Sequence, residues 1–157
     1  MRDRTRHEPT AANEDLGSGD AGLLAAREWE RVRVRDLAIR PYLHDRTDVV
    51  RVETVVHLGR LTPADVCVEL SGDERAGIPD AGRWALPMHV GRSYRNGTFV
   101  FDVLVRAPFP SPSSEVTVRV RPNDRRQWAS VPPPVTRSFS WREAVGVSSA
   151  ATRGKAR

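Results

Sequence analysis

Lysine is almost missing from this chain. Of 25 basic residues among 157, 24 are arginines, and the one lysine is Lys155 in Arg153-Gly154-Lys155-Ala156-Arg157. Chemistry that works through a buried lysine amine has no candidate elsewhere. Cysteine is as scarce: Cys67 stands alone, so it forms no internal disulfide and no zinc-ligand spacing. No apolar run approaches the roughly 18 residues that a spanning helix needs. No apolar h-region follows Met1-Arg2-Asp3-Arg4-Thr5-Arg6. A cytoplasmic protein without a membrane partner is therefore expected. The Gly-x-Ser-x-Gly elbow and the Gly-x-x-x-x-Gly-Lys-[Ser/Thr] phosphate loop are absent as well.

The net charge of +5 raises nucleic acid as a partner. Its distribution disfavours it. Residues 1–20 carry −2, residues 127–157 carry +4, and the long middle carries +3 with acids interspersed. That is an ordinary solvated surface with a basic tail.

Residues 1–20 are polar and aperiodic and are expected to be a disordered leader. Residues 21–31, AGLLAAREWER, read as a short helix, with Asp20 placed to cap it and Leu24 and Trp29 on one face. From residue 32 the apolar period becomes two. Val32 and Val34 lead into Leu37 and Ile39 after a phase slip at Asp36. Val50 to Val56 follows, with Arg51 and Glu53 on the other face. Val66 to Leu70, Trp84 to Met88, Phe99 to Val105 and Val116 to Val120 continue the pattern, and Val135 to Trp141 reads as a last strand. Phe99, Phe101, Val103, Val116, Val118 and Val120 are expected to share one core. Thr62-Pro63 predicts a single helical turn, and Asn96-Gly97 predicts a tight hairpin turn. Residues 107–114, APFPSPSS, cannot form a central strand. Residues 144–157 are expected to be a disordered tail. The fold class is all-β: a β-sandwich of about seven short strands over 21–143, with a short N-terminal helix.

Catalytic constellations are hard to find. His7, His44, His57 and His89 are scattered, and none pairs at metal-ligand spacing, so no metal site is expected. Cys67 lies in Val66-Cys67-Val68, where a small packing residue is the plain reading; as a nucleophile it would need His57 or His89 beside it in space. Asp73-Glu74 sit in a polar loop. The aromatic residues leave one ligand class open. Trp128, Trp84 and Tyr94 are the candidate sugar-stacking residues, with Trp84 and Trp141 also suited to closing the ends of the core. Trp128, in a polar segment flanked by prolines, is the expected principal contact for any glucan.

One stretch carries a resemblance. VRVETVVHLGRLTPADVCVEL, residues 50–70, resembles the C-terminal segment of prokaryotic-type α-glucan (glycogen/maltodextrin) phosphorylases. Leu58-Gly59, Leu61, Pro63, Asp65-Val66 and Val68-Glu69-Leu70 match its pattern. Downstream, Asn96-Gly97-Thr98-Phe99-Val100-Phe101 and VTVRVRP, Val116 to Pro122, are similar to later family strands. Ser71-Gly72-Asp73 and Ser113-Ser114-Glu115 depart from the family pattern. The resemblance covers residues 23–143. It implies a non-catalytic accessory domain, a detached or truncated part of a glucan-processing glycosyltransferase, with a phosphorylase catalytic chain as partner. The family's cofactor, pyridoxal phosphate on a lysine, belongs to a catalytic body that these residues do not supply, so no cofactor is expected. A stand-alone carbohydrate-binding module that takes α-glucan is the alternative, and a nucleic-acid-binding protein comes third.

Overall fold

Period-two runs of valine bury one face of a strand and leave the other to solvent. The computed structural model follows that rule; it describes residues 16–43, 46–73, 83–124, 128 and 130–150. The leader through residue 15, the tail from residue 151, His7, His44, Glu74 and Lys155 lie outside the described residues. The elements are α1 (Leu16–Trp29), β1 (Arg33–Leu43), β2 (Arg46–His57), a 3-10 turn (Pro63–Asp65), β3 (Val66–Gly72), β4 (Trp84–Tyr94), β5 (Thr98–Arg106), β6 (Glu115–Pro122), β7 (Val135–Ser140) and α2 (Trp141–Ala150). The fold is all-β, as its patterning implies.

All pairings are antiparallel, in the spatial order β1-β2-β5-β4-β3-β6-β7. β4 belongs to two half-sheets. Its first part, Trp84 to Met88, pairs with β3, and its second part, His89 to Tyr94, pairs with β5. Pro87, which has no N–H to give, precedes this crossing, and a bulge between Val90 and Arg92 follows it. The strand expected to stop near Met88 therefore continues to Tyr94. The two halves fold over one core, and the sheet nearly closes. At the seam Arg137 of β7 donates from Nη1 to the carbonyls of Val34 (3.0 Å) and Arg35 of β1.

The expected core residues are inside. Val116, Val118 and Val120 are fully buried, Phe101 is buried, and Phe99 and Val103 pack against them. Val52, Val56, Leu58, Leu70 and Val105 complete the interior. Removing each such side chain from water contributes about 1.5–3 kcal/mol. The phase slip at Asp36 is a bulge between Val34 and Asp36, and the buried Thr54 hydroxyl donates to the Asp36 carbonyl there (2.8 Å). The Asn96-Gly97 turn has φ of 67° and 69°, as a tight antiparallel hairpin requires.

Both helices differ from expectation. α1 begins at Leu16, and its buried face is Gly22, Ala25, Glu28 and Trp29, while Leu23 and Leu24 point outward. Positions i, i+3, i+6 and i+7 define that stripe, and Trp29, not Leu24, anchors it. At the other end Trp141 closes no strand. Its ring is buried and stacks on Phe109 at 6.4 Å, its backbone N–H donates to the Ser114 carbonyl (3.1 Å), and it opens α2. Trp141 and Ala144, three apart, bury that helix against the body, so 144–150 are helical where an unstructured tail was expected.

Candidate functional site

The residues shared with the phosphorylase pattern build one corner of the molecule. Leu58 and Leu61 are buried, and the Leu58 N–H donates to the Gly97 carbonyl at 2.7 Å. Gly59 has φ +63°, and a Cβ on Gly97 would fall on the Gly59 carbonyl, so both positions require glycine. Glu28, 6% exposed, accepts from the Arg60 N–H through Oε2 (3.0 Å) and lies 3.4 Å from Arg31. Pro63 opens the 3-10 turn, and Asp65 Oδ2 closes it by accepting from the Thr62 N–H (2.7 Å) and hydroxyl (2.9 Å). Asn123 ties the same turn to the end of β6, its N–H on the Asp65 carbonyl and its amide on the Ala64 carbonyl. Together these contacts fix the course of the backbone at the corner. The motif encodes a turn that joins two half-sheets.

The three stacking candidates do not meet. Trp84 and Tyr94 are the two ends of β4, about 33 Å apart along an extended strand. Trp84 is half-buried against the core, with its indole lying on Gly72, and Tyr94 is 54% exposed. Trp128 is not the free surface ring that its polar neighbours imply. It packs edge-on against Trp29 at 5.5 Å, and its Nε1 donates to the Asn123 carbonyl (3.1 Å). Trp29 in turn donates to the Pro133 carbonyl (2.9 Å), so the pair latches α1 onto the β6–β7 connection.

Of the nucleophile candidates, Cys67 and His89 share a cleft and His57 stands outside it. His57 Nδ1 is 3.1 Å from Thr98 Oγ1 at the end of β2. Cys67, half-buried, and the exposed His89 line one cleft of about 330 Å³ where β4 crosses, together with Met88, Phe101 and Arg121. No hydrogen bond links Cys67 to His89. Among the described residues no three of His, Cys, Asp and Glu gather as metal ligands. Gly17-Ser18-Gly19-Asp20-Ala21-Gly22 has a Gly-x-Gly-x-x-Gly spacing, but it lies within α1 and not at a strand-to-helix turn. Pyridoxal phosphate does not fit the residues present, because no described residue is a lysine. No described helix is long and apolar enough to cross a membrane.

The outer faces of the half-sheets differ in chemistry. On β4-β3-β6-β7 a cleft of about 440 Å³ is lined by Glu69, Ser71, Arg83, Glu115, Thr117 and Arg119. Glu69 meets Arg121 at 3.4 Å, and the Thr117 and Ser138 hydroxyls are 2.9 Å apart. On β1-β2-β5-β4 the carboxylate of Glu53, 12% exposed, bridges Arg40 (3.0 Å) and Arg92 (3.3 Å). Arg51 lies over the Tyr42 ring, 5.4 Å from its centroid. The alternation of Arg51 and Glu53 was legible in the sequence; that Arg92, on a strand remote in sequence, completes the cluster was not.

Fold and site together define an all-β module whose recognisable motif holds its architecture. The model of the glycogen phosphorylase C-terminal domain matches residues 29–134, from the end of α1 to just before β7. The chain belongs to the glycogen phosphorylase C-terminal domain family. No curated protein matches it significantly.

Proposed function

We propose that this chain is a cytoplasmic, non-catalytic accessory module that packs on the catalytic body of an α-glucan phosphorylase. The observation that carries the reading is the role of the shared motif. Leu58, Gly59, Leu61, Pro63 and Asp65 are all committed to one structural corner, and none points a reactive group into a cleft. The family match is to the C-terminal domain alone, and the chain's one lysine is Lys155. Purified chain mixed with pyridoxal phosphate is expected to give no cofactor-specific visible band, and maltodextrin with phosphate no glucose 1-phosphate. A band that survives Lys155→Ala, or any phosphate-dependent turnover, refutes the reading.

A second reading, glucan binding, has one observation in its favour. The cleft over β3 and β6 offers carboxylates, guanidinium groups and hydroxyls that match a polyhydroxylated chain. Retention on amylose that is lost with Glu69→Ala supports it; passage of the unaltered chain through the column removes it.

A further inference from the structure

We propose that the outer face of the β1-β2-β5-β4 half-sheet is the surface through which the chain docks on its partner protein, and that the partner presents carboxylates around an apolar residue. This rests on the accessory-module reading and names the surface that reading needs. Register places the residues. In antiparallel strands directly opposed residues share a face. Leu104 opposes Arg51, Arg40 also opposes Arg51, and Tyr94 opposes Thr98, which opposes His57. All stand opposite to the inward Val52, Thr54 and Phe101. Tyr42 joins them through its contact with Arg51.

This face carries both tyrosines of the chain, 39% and 54% exposed, and Leu104 at 42%. Among the described residues the other outer face carries no exposed large hydrophobic side chain. Tyrosine and arginine are enriched in interface cores, where large rigid rings and guanidinium planes bury area with little entropy loss. Tyr42 and Leu104 flank Arg51, and Tyr94 stands about 20 Å further along the same face. Arg33, Arg40, Arg51, Arg92 and Arg106 outnumber Asp36, Glu53 and Asp102 there. Glu53 is already held between two of those arginines. Among the described residues Arg51 has no ion-pair partner, its Nε is buried without a hydrogen-bond partner, and Tyr42 supports its plane. A guanidinium held in this way accepts a carboxylate with little further ordering. The excess positive charge selects an acidic counterpart, and Leu104 selects an apolar one beside it.

The test uses the full chain and the unaltered α-glucan phosphorylase of the organism that encodes it, immobilised for binding measurements. Leu104→Asp and Tyr94→Ala are expected to weaken binding at least about tenfold each with unchanged melting temperature. Arg119→Glu, on the opposite outer face, is expected to bind as the unaltered chain does. If Leu104→Asp fails to fold, Tyr94→Ala, at an exposed position, decides the matter. Wild-type affinity in both variants, or an equal loss in Arg119→Glu, overturns this inference and leaves the accessory reading standing. No binding by the unaltered chain overturns both.

Discussion

Gly97→Ala is the substitution that tests the corner most directly. Gly97 has φ +69°, a region where a Cβ costs about 1–2 kcal/mol by local sterics. The added carbon would also fall on the carbonyl oxygen of Gly59. That oxygen belongs to backbone, itself fixed at φ +63° and clamped by Glu28 on the Arg60 N–H, so it cannot swing aside as a side chain would. Relief must come from lengthening the 2.7 Å bond between the Leu58 N–H and the Gly97 carbonyl. Weakening that bond costs about 0.5–1.5 kcal/mol more. The sum is about 2–3 kcal/mol, or a fall of about 6–12 °C in melting temperature for a domain of this size. Gly59→Ala has a different neighbour. Its Cβ would meet Glu28 Oε2 at 2.8 Å, the end of a rotatable side chain that gives by a few tenths of an ångström while keeping its bond to the Arg60 N–H, so the φ term of about 1–2 kcal/mol dominates. Thermal unfolding followed by circular dichroism should rank wild type above Gly59→Ala above Gly97→Ala. A Gly97→Ala melting point within about 2 °C of wild type, or the reverse ranking, refutes the geometry of the corner.

Three further outcomes follow from the same contacts. Phe101→Ala, at 3% exposure in the middle of β5, should cost about 3–5 kcal/mol in chemical denaturation; a loss under about 1 kcal/mol would mean that the wrong face of β5 points inward. Glu28→Ala removes the carboxylate that accepts from the Arg60 N–H in a largely buried setting, and should cost about 1–3 kcal/mol with the overall circular dichroism spectrum retained. Trp128→Ala should lower stability by about 2 kcal/mol, because it deletes the edge contact with Trp29; unchanged stability would return Trp128 to the surface.

Local periodicity made most strands legible. Alternation along Val50 to Val56 and Val116 to Val120 names the buried set residue by residue, and the slip at Asp36 marks a real bulge. What stayed hidden depends on contacts between distant residues. Trp128 has polar neighbours in sequence, yet its partner is Trp29 on α1. Pro87 reads as a break, yet β4 passes through it by exchanging one neighbouring strand for another. Among the residues of α2 whose burial is described, Trp141 and Ala144 form the buried stripe, too sparse a pattern to separate from a strand end followed by a tail. The corner motif was visible as a set of letters, but its meaning as two interlocked glycines needed the spatial approach of residues 59 and 97.

The guanidinium of Arg137 has a consequence for how this molecule behaves among its own copies. A terminal strand that meets no neighbour exposes a row of carbonyls and amides ready to template a foreign strand. On β1 the carbonyls of Val34 and Arg35 are already taken by a charged donor from the far edge. A charge parked on the seam occupies those acceptors and repels the same seam of an approaching copy. Arg137→Leu would uncover both acceptors and place an apolar side chain over them. The folded protein would keep its interior and lose its resistance to edge-to-edge aggregation, which light scattering at high concentration would record as growth in particle size without prior unfolding.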